Sequence, residues 1–224
     1  GSLNWTDDSF ALQENVVATV ESPELATAYA LAFEQLWSTG VVEECGRVEP
    51  RRVELGGRRA RAWFTPGFGE ELSHRIAKRI GEARRRVRIA SPLLTAGPIL
   101  GTLAEVIGER RADVAGVCDA TQVRQVFGQW AQNPASRWKA PLLDRCLVVF
   151  HGKRSTPYAP GAVHDYMHAK VTVADDTVFV GSFNLSRSGE ENAENVLEIA
   201  DAALADRMAD WIDGLRARYP PLNP

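Results

Sequence analysis

Cysteine is scarce and poorly placed for pairing. Cys45, Cys118 and Cys146 are odd in number and widely spaced, which leaves neither a disulfide framework nor a zinc pattern. Cys118 and Cys146 lie in apolar runs and read as core. Histidine numbers four, and no His/Cys/Asp cluster has metal-ligand spacing, so no metal or other cofactor is expected. Long apolar runs are missing, which leaves no segment able to span a bilayer. Charge of one sign is not in excess either. The net charge is −3, so nothing marks the whole chain as an electrostatic nucleic-acid binder. The basic residues are mostly arginines in short clusters, such as Arg84-Arg85-Arg86 beside Arg88, and these read as solvated helix ends.

What is present suits a folded module, since 224 residues can bury a full core. Residues 1–40 read as a β-type stretch (Val16–Val20) followed by an amphipathic helix (Pro23–Thr39). Val41–Gly57 is a polar connector carrying a strand or two. Beyond it, strands are expected at Ala60–Phe64, Val87–Ala90, Asp113–Cys118, Arg145–Phe150 and Val196–Ala200. Helices are expected at Gly69–Arg86, Ile99–Arg110, Thr121–Ala131 and Ala202–Arg218. Alternation of this kind implies an α/β layer structure around a central mixed sheet.

The most informative string runs from His168-Ala-Lys170 through Asp175 to Gly181-Ser182-Phe183-Asn184. Met167–Ala174 alternates and is rich in β-branched residues, and Val178–Gly181 continues the pattern. Asp175-Asp176-Thr177 is a turn signal. A three-residue loop pairs Ala174 with Val178, Lys170 with Ser182 and His168 with Asn184, so all four side chains share one face. A two-residue loop would pair Lys170 with Gly181 and turn Ser182 and Asn184 away. The expectation is the odd loop, with Asp176 or Thr177 near positive φ.

This string resembles the signature of the phospholipase D superfamily, the HKD family: His-x-Lys, four residues, Asp, six residues, Gly-Ser-x-Asn. Every identity matches, but five residues rather than six separate Asp175 from Gly181. The departure falls in the hairpin loop and leaves the aspartate's place open between Asp175 and Asp176. Asp175 reads as a structural partner at the loop rather than a catalytic base.

The chain also repeats itself. Gly1, Ser2, Asn4, Glu14, Asn15 and Val16 match Gly181, Ser182, Asn184, Glu194, Asn195 and Val196 at one constant offset. No methionine opens the chain, and residue 1 falls inside the copy of the motif. The expectation is a segment of a longer two-motif protein. Residues 1–45 are then the tail of a first phospholipase D-like repeat, and residues 46–224 a second, complete one. The fold implied by the resemblance is an α-β-α sandwich with a central mixed sheet and a pseudo-twofold repeat, the first repeat truncated. The upstream first repeat would complete the site at the seam.

Cleaving a phosphodiester needs a nucleophile, neutralisation of developing charge and a proton for the leaving oxygen. The resemblance implies that His168 is one of two motif histidines. One attacks phosphorus to give a phosphohistidine; the other is general acid and later activates water or an alcohol. It further implies the acid/base role for a second-motif histidine. Lys170 and Asn184 would hold the non-bridging oxygens, with Ser182 in support. Ser2 and Asn4 would do the same from across the seam. Glu194 follows Asn184 at the spacing by which Glu14 follows Asn4. An imidazole that titrates usefully needs its second nitrogen fixed by an acceptor, and the resemblance gives that work to these glutamates.

The segments Asn133–Leu142 and His151–Tyr166 read as the rim, with Arg137, Trp138, Lys139, Lys153, Arg154, Tyr158 and Tyr166. Basic groups beside aromatics suit a phosphate joined to an apolar or stacking moiety. His151 and His164 are placed to approach the cleft, and His74 is a helix residue without a role. The reading is a phospholipase D-type phosphodiesterase or phosphatidyltransferase acting on phospholipids, with peripheral membrane contact. The alternatives are a nuclease of the same superfamily, which would bind nucleic acid, and a catalytically silent binding scaffold.

Overall fold

The computed structural model of the chain describes residues 1–222. Its centre is an eight-stranded mixed sheet in the order β1-β2-β8-β7-β6-β3-β4-β5. The strands are β1 (Val53–Leu55), β2 (Arg58–Phe64), β3 (Arg86–Ala90), β4 (Asp113–Asp119), β5 (Phe150–Lys153), β6 (Val171–Ala174), β7 (Thr177–Gly181) and β8 (Asn195–Ala200). β3, β4 and β5 run parallel to one another; the remaining pairings are antiparallel.

Helices cover both faces. On one side lie α3 (Gly69–Glu82), α4 (Gly97–Gly108), α5 (Ala120–Gln132) and α6 (Ala140–Leu147), which share a core with Ile89, Phe179 and Phe183. On the other lie α2 (Pro23–Thr39) and α8 (Ala202–Arg218), packed on Val171, Val173, Val178 and Val180. The strands of the middle are buried on both faces, so β6 and β7 read as continuous apolar runs. On α3, Leu72, Ile76 and Ile80 form one stripe at 0–1% exposure, and full burial of each contributes about 1.5–3 kcal/mol. The β5 edge is closed by the C-terminal segment: Leu222 N–H donates to Phe150 O at 2.8 Å and Gly152 N–H to Pro220 O at 2.9 Å.

The expected α/β sandwich is the fold found, and α2 and α8 span the expected residues. Ser22 and Asp201 cap their N-termini, and Gly40 in the left-handed region ends α2. Two short helices, α1 (Asp7–Ala11) and α7 (Arg187–Glu191), stand at the spacing of the sequence repeat, each behind a hydroxyl cap from Thr6 or Ser186.

Three expectations are corrected. Val16–Val20 belongs to no strand. Residues 145–147 belong to α6, because Pro141 starts a helix whose Leu143, Cys146 and Leu147 turn inward; the strand begins at Phe150. The third is the hairpin. Ala174 pairs with Thr177, so the loop has two residues, and Asp175 takes positive φ (49°). The conformation is costly for a residue with a Cβ. It is compensated by the Asp175 carboxylate, which accepts backbone N–H groups of Arg84, Arg85 and Arg86 at 2.9–3.1 Å.

Candidate active site

His168 and Lys170 precede β6, Ser182 and Asn184 follow β7, and Glu194 precedes β8. All five therefore gather at one end of the sheet. They do not share a sheet face. The two-residue loop sets Val171 against Val180, which brings Lys170 opposite Gly181. His168, Lys170, Ser182 and Glu194 meet beyond the strand ends, where the strict alternation of the pleat no longer applies. Gly181 is required there, since a Cβ would lie 1.9 Å from Asn195 O.

The N-terminal segment closes over this end. Glu14 forms a parallel bridge with Met167, and His168 N–H donates to Glu14 O at 3.1 Å. The two serines of the repeat do similar work: Ser2 Oγ accepts Val16 N–H at 3.0 Å and Ser182 Oγ accepts Asn195 N–H at 3.1 Å.

His168 is the centre of the arrangement. Its Nδ1 faces Ser2 O at 3.1 Å and Asn15 Oδ1 at 3.2 Å. Both are acceptors. The Asn15 amide is oriented by its own network, with Oδ1 accepting Ser2 Oγ–H at 2.8 Å and Nδ2 donating to Ser9 O at 3.0 Å. The proton therefore belongs on Nδ1, and Nε2 keeps its lone pair. Burial, then the Lys170 charge, lowers the imidazole pKa to about 4, against a smaller opposing effect of the Ser2 carbonyl. At neutral pH the ring is uncharged.

Lys170 is 6% exposed and donates to His168 O at 2.7 Å. Burial lowers its pKa to about 7, opposed by the charge of Glu194. Burial in turn raises Glu194, while Ser182, Lys170 and Asn192 favour its charged form. Glu194 thus serves Lys170, and the acceptors at His168 Nδ1 are Ser2 and Asn15. Asn184 is half-buried just past the end of β7, and Asn4 is exposed, its N–H donating to Ser9 Oγ at 2.9 Å.

Several expected site residues do other work. Glu14 and Lys153 form an ion pair at 2.7 Å, both largely buried, and Tyr219 OH donates to the other Glu14 oxygen. Lys153 also donates to Leu12 O at 2.8 Å, so Lys153 is not free to hold a substrate, and both Glu14 oxygens are taken up by Lys153 and Tyr219 rather than by an imidazole or a substrate. Asp175 sits at the far end of the hairpin, where it holds the turn before β3 and touches no reacting group. Arg154 is exposed. Trp138 is exposed with Lys139 Nζ over its ring at 5.7 Å; Lys139 donates to Thr95 O, and Thr95 N–H donates to Leu185 O beside Asn184. His151 Nδ1 lies 2.7 Å from both Arg216 O and Tyr219 O, far from a cleft role. His164 is stacked between Tyr158 and Tyr166.

Two residues carry more than the sequence reading assigned. Asn15 was visible in the repeat, without a role. Asp119 is fully buried and accepts Thr121 N–H, Gln122 N–H, Ser155 Oγ–H and Met167 N–H. It ties the rim to the residue preceding His168, and only the fold brings those groups together. Among the described residues no group of three or more His, Cys, Asp or Glu is placed to hold a metal ion, and no helix is long and apolar enough to cross a membrane.

The family model described as cardiolipin synthase, PLD-like domain, matches residues 76–216. The chain belongs to the phospholipase D superfamily. Solved structures of the superfamily fold resemble it. Nuc from Salmonella typhimurium, described as a phospholipase D family member, is 19% identical with a TM-score of 0.52; the alignment covers 73% of this chain and 96% of that one. NucT from Helicobacter pylori is 19% identical with a TM-score of 0.55, covering 74% and 99%. Phosphatidylserine synthase from Haemophilus influenzae Rd KW20 is 20% identical with a TM-score of 0.54, covering 72% of this chain but 38% of that one. At these identities the likeness is one of fold. A search of curated proteins finds no match to the chain.

Proposed function

We propose that this phospholipase D-superfamily chain cleaves or transfers phosphodiesters of phospholipids, with His168 Nε2 as the attacking atom. The observation that carries the reading is the pair of acceptors at Nδ1, which leaves Nε2 bare beside a buried ammonium. A neutral imidazole is a nucleophile or base and a poor acid, so the acid/base role implied by the resemblance passes to a second histidine. Nε2 attacks phosphorus, the P–O bond to the leaving alcohol breaks, and the second histidine gives that oxygen its proton. The same histidine then takes a proton from water or an acceptor alcohol, which attacks phosphorus and releases His168. Lys170 neutralises charge on the non-bridging oxygens, and Asn184 donates a hydrogen bond to them.

The second histidine and its lysine belong to a preceding repeat of the same polypeptide. Helix α2 supports this. Counted from their caps, Ala26, Ala30, Phe33 and Leu36 correspond to Ala205, Ala209, Ile212 and Leu215 of α8. The α8 residues are buried on the sheet, whereas Ala26, Ala30 and Phe33 are exposed.

Lipid is favoured by the matching family's description and by the rim. Trp5, Phe10 and Leu12 are 93%, 60% and 43% exposed on the segment that carries Asn4 and Glu14. Val163 is exposed on the loop tied to that segment by His164 N–H donating to Asp8 at 2.8 Å. Apolar side chains around a phosphate site suit acyl chains. The nuclease reading draws on the Tyr158–His164–Tyr166 stack, on which bases could continue.

The test is an assay of the protein with its preceding repeat against phosphatidylglycerol vesicles and single-stranded DNA in parallel, in EDTA. Phospholipid turnover is expected, with a phosphorylated His168 peptide on acid-free quenching. Turnover confined to DNA, falling steeply with salt, would replace lipid by nucleic acid as substrate.

A further inference from the structure

Five arginines meet around one buried carboxylate, away from the site described above. Glu198 on β8 is 6% exposed. Its oxygens accept Trp63 Nε1–H at 3.0 Å and Arg75 Nε–H at 2.9 Å. Arg61 and Arg79 stand 3.9 Å from it. Arg52 and Arg59 complete the wall of a small cavity of about 40 Å³.

The charges do not balance locally. Arg75 occupies Glu198, and Arg79 Nη1 donates to Glu82 at 3.2 Å. Glu54 is the cross-strand partner of Arg59 on β1. Three carboxylates therefore stand near five guanidinium groups. Arg79 Nε is buried with no hydrogen-bond partner among the described residues. The Arg61 pKa is lowered by burial and by the charges of Arg75, Arg52 and Arg79, against the attraction of Glu198. A concave surface with surplus planar donors and one unused buried N–H is built for an oxyanion, because guanidinium forks match phosphate oxygens in pairs.

We propose that the cavity between β2, β8 and α3 binds a phosphate or phosphomonoester group. It is a second anion site, separate from the reacting centre. Glu198 is four residues along β8 from Glu194, about 13 Å at the rise of a strand. Arg52 and Arg59 are exposed on the cavity wall. The shared chemistry has two sources, a soluble phosphate or an anionic lipid headgroup.

The chain as it stands is titrated with inorganic phosphate and pyrophosphate, read by thermal melting and calorimetry. It is also floated with vesicles of phosphatidylcholine alone and of phosphatidylcholine mixed with phosphatidic acid. The Arg52→Ser/Arg59→Ser variant is compared with Arg124→Ser/Arg207→Ser, which removes equal charge from exposed positions elsewhere. Phosphate binding at least ~10-fold weaker in the first variant alone is expected, the scale of lost charge-assisted hydrogen bonds. Arginine-dependent capture by phosphatidic acid vesicles assigns the site to a headgroup. Phosphate binding without such capture assigns it to a soluble anion. No phosphate binding by the unsubstituted chain, or equal weakening in both variants, overturns the proposal.

Discussion

Asn15 Oδ1 lies 3.2 Å from Nδ1 of His168, across the seam between the N-terminal segment and the approach to β6. Ser2 O is the second acceptor at the same nitrogen. The imidazole is therefore held in one tautomer by groups far from it in the chain. Replacing Asn15 by alanine removes one acceptor and frees the ring to turn. Loss of such a supporting contact typically costs 10–100-fold in activity, so Asn15→Ala is expected to lower kcat by roughly that amount. Asn15→Asp should instead place a carboxylate at Nδ1 and raise the imidazole pKa. The acid limb of the rate profile would then move upward from about 4. A limb unmoved by Asn15→Asp would separate His168 from that titration.

Two groups of this chain shape the pH profile of the unsubstituted enzyme, beside the second histidine, which must carry a proton to act as the acid. Attack needs His168 neutral, which holds above about 4, and charge neutralisation needs Lys170 protonated, which holds below about 7. The profile of kcat/KM reports groups of the free enzyme. A bell with its acid limb near 4 and its basic limb no higher than about 7 is expected from kcat/KM measured across pH. His168→Ala should remove at least ~10³-fold of activity at every pH. Activity flat from neutral to strongly basic pH would count against a cationic role for Lys170.

Much of this was legible from residues close in sequence. The bounds of α2 and α8 follow from caps at Ser22 and Asp201, which act within one turn. The His-x-Lys and Gly-Ser-x-Asn strings located the site because their residues sit at the ends of neighbouring strands. The hairpin register was not legible. The three-residue loop is the one that puts all four motif side chains on one face of the pleat, and what permits the two-residue loop instead is a carboxylate bonded to N–H groups at residues 84–86. Glu14 and Lys153 looked free because their partnership, and that of Tyr219, exists only once three distant segments meet. Residues 145–147 looked like a strand start because periodicity cannot separate a short apolar helix end from a strand.

Lys170 places function and stability in opposition. Its pKa falls from 10.5 to about 7 on folding. Below about 7 both folded and unfolded chains carry the proton, and the cost of burying the ammonium is present in full. Between 7 and 10.5 the folded chain has released the proton while the unfolded chain keeps it, so stability rises with pH across that window. The full cost is on the order of a few kcal/mol. Lys170→Met keeps the volume, removes the charge and gives up the bond to His168 O. Denaturant unfolding at pH 6 is expected to show a gain of about 1–3 kcal/mol, together with loss of turnover. A variant both inactive and less stable would show that the ammonium is not penalised in the fold.

Asp119 offers the converse case, a charge that the fold needs. Its carboxylate is fully buried and accepts four donors, two at the start of α5, one from Ser155 and one from Met167. Burial raises its pKa, and these donors restrain the rise. Asp119→Ala leaves three backbone N–H groups and a hydroxyl without an acceptor in a dry place. Each buried unsatisfied group costs ~1–3 kcal/mol, and local relaxation recovers part of the sum. A loss of about 3–5 kcal/mol in denaturant unfolding is expected. Asp119→Asn keeps one carbonyl oxygen and should lose about half as much. Because Met167 precedes His168, the Asn variant should also lower kcat more than it raises KM, since a displaced imidazole is felt in the transition state. Equal stability of the Ala and Asn variants would mean that the accepted hydrogen bonds are not what holds this corner of the site.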